Sequence, residues 1–193
     1  MQAFISRAYA NWAATAYPAA TILVTAALLH SGWTRLFRAS LALHILVALA
    51  MAAAPAFAPW LKLPGGIDPF SRQLGWRDTA AMVERELSRH PYAMILSEDR
   101  QVTAELLYYL RGSEVPLAAW QWSDVPDDHY QLNRPFRGAD GPVLLVTTDS
   151  DIQALTGRFA ASELIAEEAI GTGPDRRRTV QLYRLEGFQG ESL

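Results

Sequence analysis

The distribution of acidic residues divides this chain into two parts. The sequence contains 20 Asp and Glu residues, and all of them follow Pro64. The residues before it carry only basic charges, which are Arg7, Arg35, Arg38 and Lys62. A soluble helix normally keeps a charged face towards water, so a long apolar region without any acidic residue is typical of a membrane segment.

Two apolar stretches in this region predict two transmembrane helices. They extend over about 12–30 and 40–62, and each is close to the roughly 20 residues that cross a hydrocarbon core. The small residues of Ala52–Ala58 are also typical of a cleaved signal peptide, but two long spans with a basic connector favour insertion over cleavage. We therefore interpret 1–63 as a membrane region.

The connector at 31–38 indicates the orientation of these helices. It carries Arg35 and Arg38, and loops rich in Lys and Arg remain on the cytoplasmic side. Both termini are then predicted on the opposite side. The expected location is a bacterial inner membrane, crossed more than once, with both termini in the periplasm.

The rest of the chain predicts a linker at 64–70 and a periplasmic domain at 71–193. Helical spacing of apolar residues alternates with short apolar runs that are typical of buried strands. The predicted helices are 76–90, 102–110 and 152–159, and the predicted strands are 92–96, 115–120 and 143–148. At the end of the chain, the apolar segment 164–170, a turn and the alternating strand 179–185 form the predicted hairpin. This order indicates a three-layer α/β domain with a mostly parallel sheet and a C-terminal hairpin.

Composition excludes several classes of site. The chain has no cysteine, so a thiolate metal site is impossible. No glycine-rich phosphate loop, serine elbow or zinc-binding helix motif is present, and the net charge of about −7 after Lys62 argues against nucleic acid. Arg176–Arg178 are interpreted as a solvated turn. We expect no catalytic residue, no metal and no cofactor in this chain, and no nucleic-acid partner.

Three groups of residues remain as candidate contacts. The group Ser97–Arg100 follows a predicted strand, where α/β proteins often bind ligands, and Asp99 and Arg100 are its candidate contacts. The alternative is that Asp99 caps a helix while Glu98 and Arg100 are solvated. Trp120 and Trp122, with Tyr130 nearby, fit a sugar or a surface, and the alternative is packing in the core. Asp127–His129 is a third group, interpreted as a solvated loop in preference to a metal site.

Several short motifs resemble the last part of bacterial glycosyltransferase family 39 and of aminoarabinose-transferase-like enzymes, relatives of the dolichyl-phosphate-mannose-protein mannosyltransferases. In the membrane region they are Ser6-Arg7, Asn11-Trp12 and Tyr17-Pro18-Ala19-Ala20. In the soluble part they are Gly75-Trp76-Arg77, Asp99-Arg100-Gln101, His129-Tyr130-Gln131-Leu132 and Leu182-Tyr183-Arg184-Leu185. Together they extend over most of the chain, although each is weak alone.

The resemblance implies a function for the parent enzyme. Members of that family transfer a sugar from a polyprenyl-phosphate donor to an acceptor on the outer side of the membrane. Their catalytic acid lies in a loop after the first membrane helix, and no acidic residue precedes Asp68 here, so this chain alone is not expected to catalyse transfer. Arg7 matches the family's basic residue beside the late membrane helix. The resemblance implies that it contacts the carrier phosphate, and the alternative is an interfacial anchor.

We therefore expect the C-terminal part of a membrane glycosyltransferase, with Met1 as an internal residue. Its expected partners are the lipid bilayer, a polyprenyl-phosphate sugar and the remaining transmembrane helices of the enzyme. The alternative is a non-catalytic, membrane-anchored periplasmic binding or interaction module. A soluble enzyme with an apolar N-terminal arm is a third hypothesis.

Overall fold

The computed structural model describes residues 16–60 and 70–190. The chain divides into two compact units, with the boundary between Ala56 and Phe57. The first unit is helical and the second contains a mixed α/β domain. Most of the linker predicted at 64–70 lies outside the described residues.

The helical unit contains α1 (Tyr17–His30) and α2 (Thr34–Phe57). No residue of either helix is buried. With 24 residues and a mean hydropathy of 2.0, α2 is the one described helix that is long and apolar enough to cross a membrane; at 1.5 Å per residue it is about 36 Å long. α1 is apolar but has 14 residues. Within residues 16–60 the structure thus contains one helix of sufficient length, where the sequence predicted two; residues 12–15 of the first predicted span and 61–62 of the second lie outside the described residues.

The connector between these helices is shorter than predicted. Only 31–33 separate α1 from α2, and Gly32 has a positive φ of 74° at this turn. Arg35 and Arg38 therefore lie in the first turns of α2, and the prediction that they belong to a loop was wrong. Arginine is a good helix former, and no glycine or proline lies between Gly32 and Pro55, which is in the last turn of α2.

The α/β domain begins with α3 and ends with a long hairpin. Its elements are α3 (Trp76–Arg89), β1 (Met94–Ser97), α4 (Arg100–Tyr109), β2 (Leu117–Ala119), α5 (His129–Asn133), β3 (Val143–Thr147), α6 (Gln153–Thr156), β4 (Phe159–Gly171) and β5 (Arg177–Phe188). The main predicted helices and strands are present. α6 is shorter than predicted, α5 was not predicted, and β4 begins earlier than the apolar pattern indicated.

The five strands form one mixed sheet in the order β2-β1-β3-β5-β4. β1 is parallel to β2 and β3, whereas β5 is antiparallel to both β3 and β4. The prediction of a mostly parallel sheet was therefore only partly right. The second strand of the C-terminal hairpin, β5, pairs with β3, and the first strand, β4, lies at the edge of the sheet.

The strands alternate their side chains between two core clusters, as the two-residue period of a strand requires. On one face, Ile95, Leu144 and Leu182 pack in the cluster that includes residues of α3 and α4. On the other face, Leu96 and Leu145 pack with residues of α6. The strands β1 and β3 are thus buried on both faces of the sheet, which explains the continuous apolar sequence of β3, whereas most of β4 is exposed.

An aromatic cluster completes the second face. The ring of Trp120 lies 5.8 Å from Phe136, 6.4 Å from Phe159 and 6.1 Å from Phe188 between centroids. This cluster and the four-residue helix α6 form the third layer. Large aromatic surfaces therefore cover a face that long helices cover in most three-layer domains.

The start of the domain is fixed by Arg178 of β5. Its guanidinium carbon lies 3.9 Å from the ring centroid of Trp76, and its nitrogens donate to the carbonyls of Leu74 (3.2 Å) and Ser71 (2.9 Å). Burial lowers the pKa of Arg178, partly offset by the charges of Glu105 and Asp99. The interpretation of 176–178 as a solvated turn was wrong for Arg178, because its fork matches two backbone acceptors that the sequence does not reveal.

Gly75 is required at the same junction. It has a φ of 84°, and a Cβ atom there would lie 2.9 Å from both the carbonyl oxygen of Gly171 and Cγ2 of Ile170. Any larger residue would meet the end of β4 as well as backbone strain.

We predict that Arg178→Lys lowers the free energy of unfolding by about 1–3 kcal/mol, because lysine keeps the charge but loses the forked hydrogen bonds and the stacking. Arg177→Lys is the matched control, since Arg177 is exposed and makes only a 3.4 Å hydrogen bond to Ala169. Thermal unfolding of the full chain in detergent, followed by tryptophan fluorescence, measures both. Equal effects of the two substitutions would contradict the assigned role of Arg178.

Candidate functional site

The parallel strands place three chain segments at one edge of the sheet. β1, β2 and β3 run in the same direction, so Glu98, Trp120 and Thr148 follow their carboxyl ends directly. In open α/β sheets this edge is the usual location of a ligand site, because loops from neighbouring strands meet there. The edge is therefore the first place to look for function.

Two buried polar atoms at this edge have no hydrogen-bond partner within the described part of the chain. They are Oε2 of Glu98 and Nε1 of Trp120. Each belongs to the first residue after a strand, β1 or β2. Leaving a buried polar group unpaired costs about 1–3 kcal/mol, and native proteins have few such groups. Two of them beyond adjacent strands identify this edge as the candidate site.

The carboxyl group of Glu98 is unusual in its surroundings. Its Oε1 accepts a 2.5 Å hydrogen bond from Oγ1 of Thr147. Burial raises the pKa of Glu98, and the charges of Asp99 and Asp149 raise it further, against the lowering effect of the Thr147 hydrogen bond. No ion pair involving Glu98 forms among residues 16–60 and 70–190. Glu98 therefore keeps its proton to a higher pH than an exposed glutamate does.

Glu98 lies in a cleft that we call the carboxylate cleft, with a volume of about 420 Å³. Its lining residues are Glu98, Asp99, Trp122, Thr148 and Asp149. Trp122 is 50% exposed, so an aromatic ring stands beside three carboxyl groups. Carboxylates accept hydrogen bonds and repel anions, so the cleft suits a hydroxyl-rich or cationic group and disfavours a phosphate.

Two of these carboxylates also shape the backbone. Oδ1 of Asp99 accepts from the amides of Gln101 (2.7 Å) and Val102 (2.8 Å), which caps α4. Oδ1 of Asp149 accepts from the amide of Asp151 at 2.9 Å. The N-cap of α6 is Ile152, without a side-chain hydrogen bond, so neither Asp149 nor Ser150 caps this helix.

The predicted contact residues lie in different environments. Asp99 has the capping role given above as its alternative. Arg100 begins α4 with an exposed side chain and does not line the carboxylate cleft. Trp120 is only 6% exposed, as its core-packing alternative requires, whereas Trp122 is half exposed. The two indoles contact each other edge to face, with centroids 6.0 Å apart, and both follow β2, which ends at Ala119.

The remaining candidates are separate from the cleft. Tyr130 lies on α5, with its ring 3.8 Å from that of His129. Asp128 caps this short helix through the amides of Tyr130 and Gln131, so 127–129 begin a helix. Within the described residues no group of three His, Asp or Glu side chains is arranged to hold a metal. Arg7 lies outside the described residues.

Sequence reasoning included Glu98 in the group after β1 but interpreted its side chain as solvated, and it missed Thr147. In the structure Glu98 is partly buried, and its carboxyl group is hydrogen-bonded to Thr147 at the end of β3. The available signal was position, because a polar residue directly after a buried strand often turns inwards at the carboxyl edge. The partner, 49 residues later, is not visible from local sequence.

Comparison with known proteins gives one curated relative. The chain is similar to a lipid A galacturonosyltransferase (RgtD) from Rhizobium johnstonii, with 31% identity over 185 residues. The match includes 96% of this chain and 38% of the relative, so the chain spans about two fifths of the length of that protein. No family model matches the chain and no solved structure matches it. The similarity supports a glycosyltransferase relationship, while membership of family 39 stays a prediction.

We predict that Glu98→Gln stabilises the chain at neutral pH. Because the pKa of Glu98 is raised in the folded state, its contribution is most favourable below the ordinary value of 4.5 and is lost as pH rises through the raised value. Glutamine keeps an acceptor for Thr147 without the charge. The expected gain is about 0.5–2 kcal/mol.

The measurement is thermal unfolding around pH 4 and around pH 7.5. Glu98→Gln should gain stability over the parent only at the higher pH. Glu114→Gln, at an exposed position, is the control and should change little at either. A loss of stability in Glu98→Gln at neutral pH would show that the charged form is favoured in the folded protein.

Proposed function

We propose that this chain is the C-terminal part of a membrane glycosyltransferase that transfers a sugar from a polyprenyl-phosphate carrier to an acceptor on the periplasmic side. The observation that carries the proposal is the similarity to a lipid A galacturonosyltransferase over 96% of the chain. By analogy with that relative, galacturonic acid is the sugar and lipid A is the acceptor to test first.

The helical unit supports a membrane location for this reaction. α2 is long and apolar enough to cross a bilayer, and no residue of α1 or α2 is buried. Apolar helices without buried residues need lipid or other helices around them. We propose that the bilayer and the remaining transmembrane helices of the enzyme supply this surrounding, with both termini in the periplasm.

The charge of the carboxylate cleft supports the proposal that the donor and the acceptor bind in different parts of the enzyme. Three carboxyl groups line the cleft, and its lining includes no Lys or Arg from the described part of the chain. A carrier phosphate would be repelled there, whereas the hydroxyl groups of a saccharide would find acceptors. We propose that the α/β domain contacts the acceptor, that the donor phosphate binds in the membrane part, and that Arg7 contacts it through charge-assisted hydrogen bonds.

We predict that the chain stays with the membrane fraction after an alkaline carbonate wash and is released by detergent, because apolar surface of this extent is stable only in lipid or detergent. Fractionation of expressing cells followed by immunoblotting measures this. Recovery in the aqueous fraction would contradict the membrane location and favour a soluble enzyme with an apolar arm.

Transfer itself is tested in a chimera in which this chain replaces the aligned segment of the Rhizobium relative. Labelled polyprenyl-phosphate galacturonic acid is the donor and lipid A is the acceptor. We expect transfer in the chimera and none with this chain alone. An inactive, membrane-inserted chimera would favour the non-catalytic module.

In that chimera we predict that Arg7→Ala raises the KM for the donor about tenfold, which corresponds to the loss of one charge-assisted hydrogen bond. Arg77→Ala is the control, because Arg77 is an exposed residue of α3. Unchanged donor dependence in Arg7→Ala would remove Arg7 from the donor site and leave the enzyme assignment intact.

A further inference from the structure

A second cavity, which we call the indole cavity, lies beyond the end of β2 and has a volume of about 430 Å³. This is within the roughly 300–1,000 Å³ of ordinary small-molecule sites. The lining residues that matter here are Trp120, Asp124, Leu132, Phe136, Arg137 and Phe188. It shares no lining residue with the carboxylate cleft.

The apolar side of the indole cavity is aromatic. Trp120 is 6% exposed, and its ring packs against Phe136 and Phe188, which are 5.0 Å apart between centroids. Leu132 is 65% exposed at the same cavity. A ligand with an apolar face would therefore meet rigid ring surfaces that the core already holds in place.

The polar side offers groups that are not used inside the described part of the protein. Nε1 of Trp120 is buried and donates to no acceptor there. Asp124 and Arg137 are exposed, and within residues 70–190 neither forms an ion pair, with the other or elsewhere. By contrast, Gln121 and Gln131 are engaged with Ser123 and with the amide of Asp127.

These groups exclude simpler ligands. A purely apolar ligand would leave the indole N–H unpaired, at a cost of about 1–3 kcal/mol. A phosphate or carboxylate would face Asp124, and a cation would face Arg137. A hydroxylated ring satisfies all three groups, because hydroxyl oxygens accept from Trp120 and Arg137 while a hydroxyl hydrogen is donated to Asp124. Its C–H face then lies on the aromatic rings.

We propose that the indole cavity binds one neutral sugar ring, with the Nε1–H of Trp120, the guanidinium of Arg137 and the carboxylate of Asp124 as its polar contacts. Only the identity of the glycan rests on the proposed function, under which the ring belongs to the saccharide part of the acceptor. The cavity then holds the acceptor by its sugar, at the same edge of the sheet as the carboxylate cleft.

The test uses the full chain in detergent micelles with nitrogen-15-labelled indoles. Methyl glycosides of glucose, galactose and N-acetylglucosamine are titrated, with methyl galacturonoside as an anionic probe and cyclohexane as an apolar probe. The resonance of Trp120 is assigned among the six tryptophans by its loss in Trp120→Phe. We expect a saturable shift of that resonance with at least one neutral glycoside.

Arg137→Gln and Asp124→Asn should each raise the Kd for that glycoside about tenfold, the effect of one charge-assisted hydrogen bond. Arg89→Gln and Asp78→Asn are matched controls at exposed positions of α3 and should leave the Kd unchanged. Since all four side chains are exposed, loss of folding is not expected, and the remaining indole resonances report it.

Three results would overturn the proposal: no shift with any neutral glycoside, an unchanged Kd in both cavity variants, or tighter binding of the galacturonoside or of cyclohexane. The outcome is separate from that of the transfer assay. Glycoside binding with an inactive chimera would retain the sugar site and reject the transferase, while an active chimera with a silent Trp120 would reject the sugar site alone.

Discussion

The stacking of Arg178 on Trp76 is the contact from which the α/β domain is organised. Arg178 belongs to β5 and Trp76 begins α3, so the contact brings the first helix of the domain against its last strand. The backbone carbonyl of Arg72 accepts hydrogen bonds from Nε1 of Trp76 and from Nε2 of Gln101. The segment before α3 is thereby held to β5 and to α4 together. Because the cap residue of α4, Asp99, also lines the carboxylate cleft, the same contacts help to position that cleft.

Two residues at the carboxyl edge of the parallel strands lower the stability of the fold. An apolar side chain at either position would avoid the cost of an unmade hydrogen bond. Glu98 and Trp120 nevertheless each leave a buried polar atom unpaired. Proteins accept such costs most often where a ligand supplies the missing partner. The two neighbouring cavities differ in charge: one has three carboxyl groups, and the other has one carboxylate and one guanidinium. A saccharide is the ligand class compatible with both.

Local sequence patterns predicted the helices and strands whose burial depends on residues close in sequence. The amphipathic period of α3 and the apolar run of β3 were sufficient to predict these two elements, because the apolar face of one helix or one buried strand is encoded by residues close in sequence. The position of β5 between β3 and β4 was not predictable in this way, since alternation within 179–185 is the same for an edge strand and a central one.

The candidate site was predicted only in part, for a related reason. Trp122 and Asp99 were selected because their residue types are informative at the end of a strand. The burial of Glu98 was not predicted because it involves Thr147, a residue of another strand. Trp120 is buried and Trp122 is half exposed, and this difference was not predicted because both residues follow β2, which pairs with β1 through three residues. Long-range contacts therefore decided both outcomes.

The arrangement of the sheet also fixes the order in which it is completed during synthesis. β3 pairs with β1 on one side and with β5 on the other, and residues 148–176, which include β4, lie between β3 and β5 in the sequence. At about 5–20 residues per second, translation from the end of β3 to the end of β5 takes roughly 2–8 s, during which the nascent β3 exposes an unpaired edge. Pairing between segments so distant in sequence is slow to form. A premature stop within β5 would therefore open the middle of the sheet and leave β4 without a neighbour.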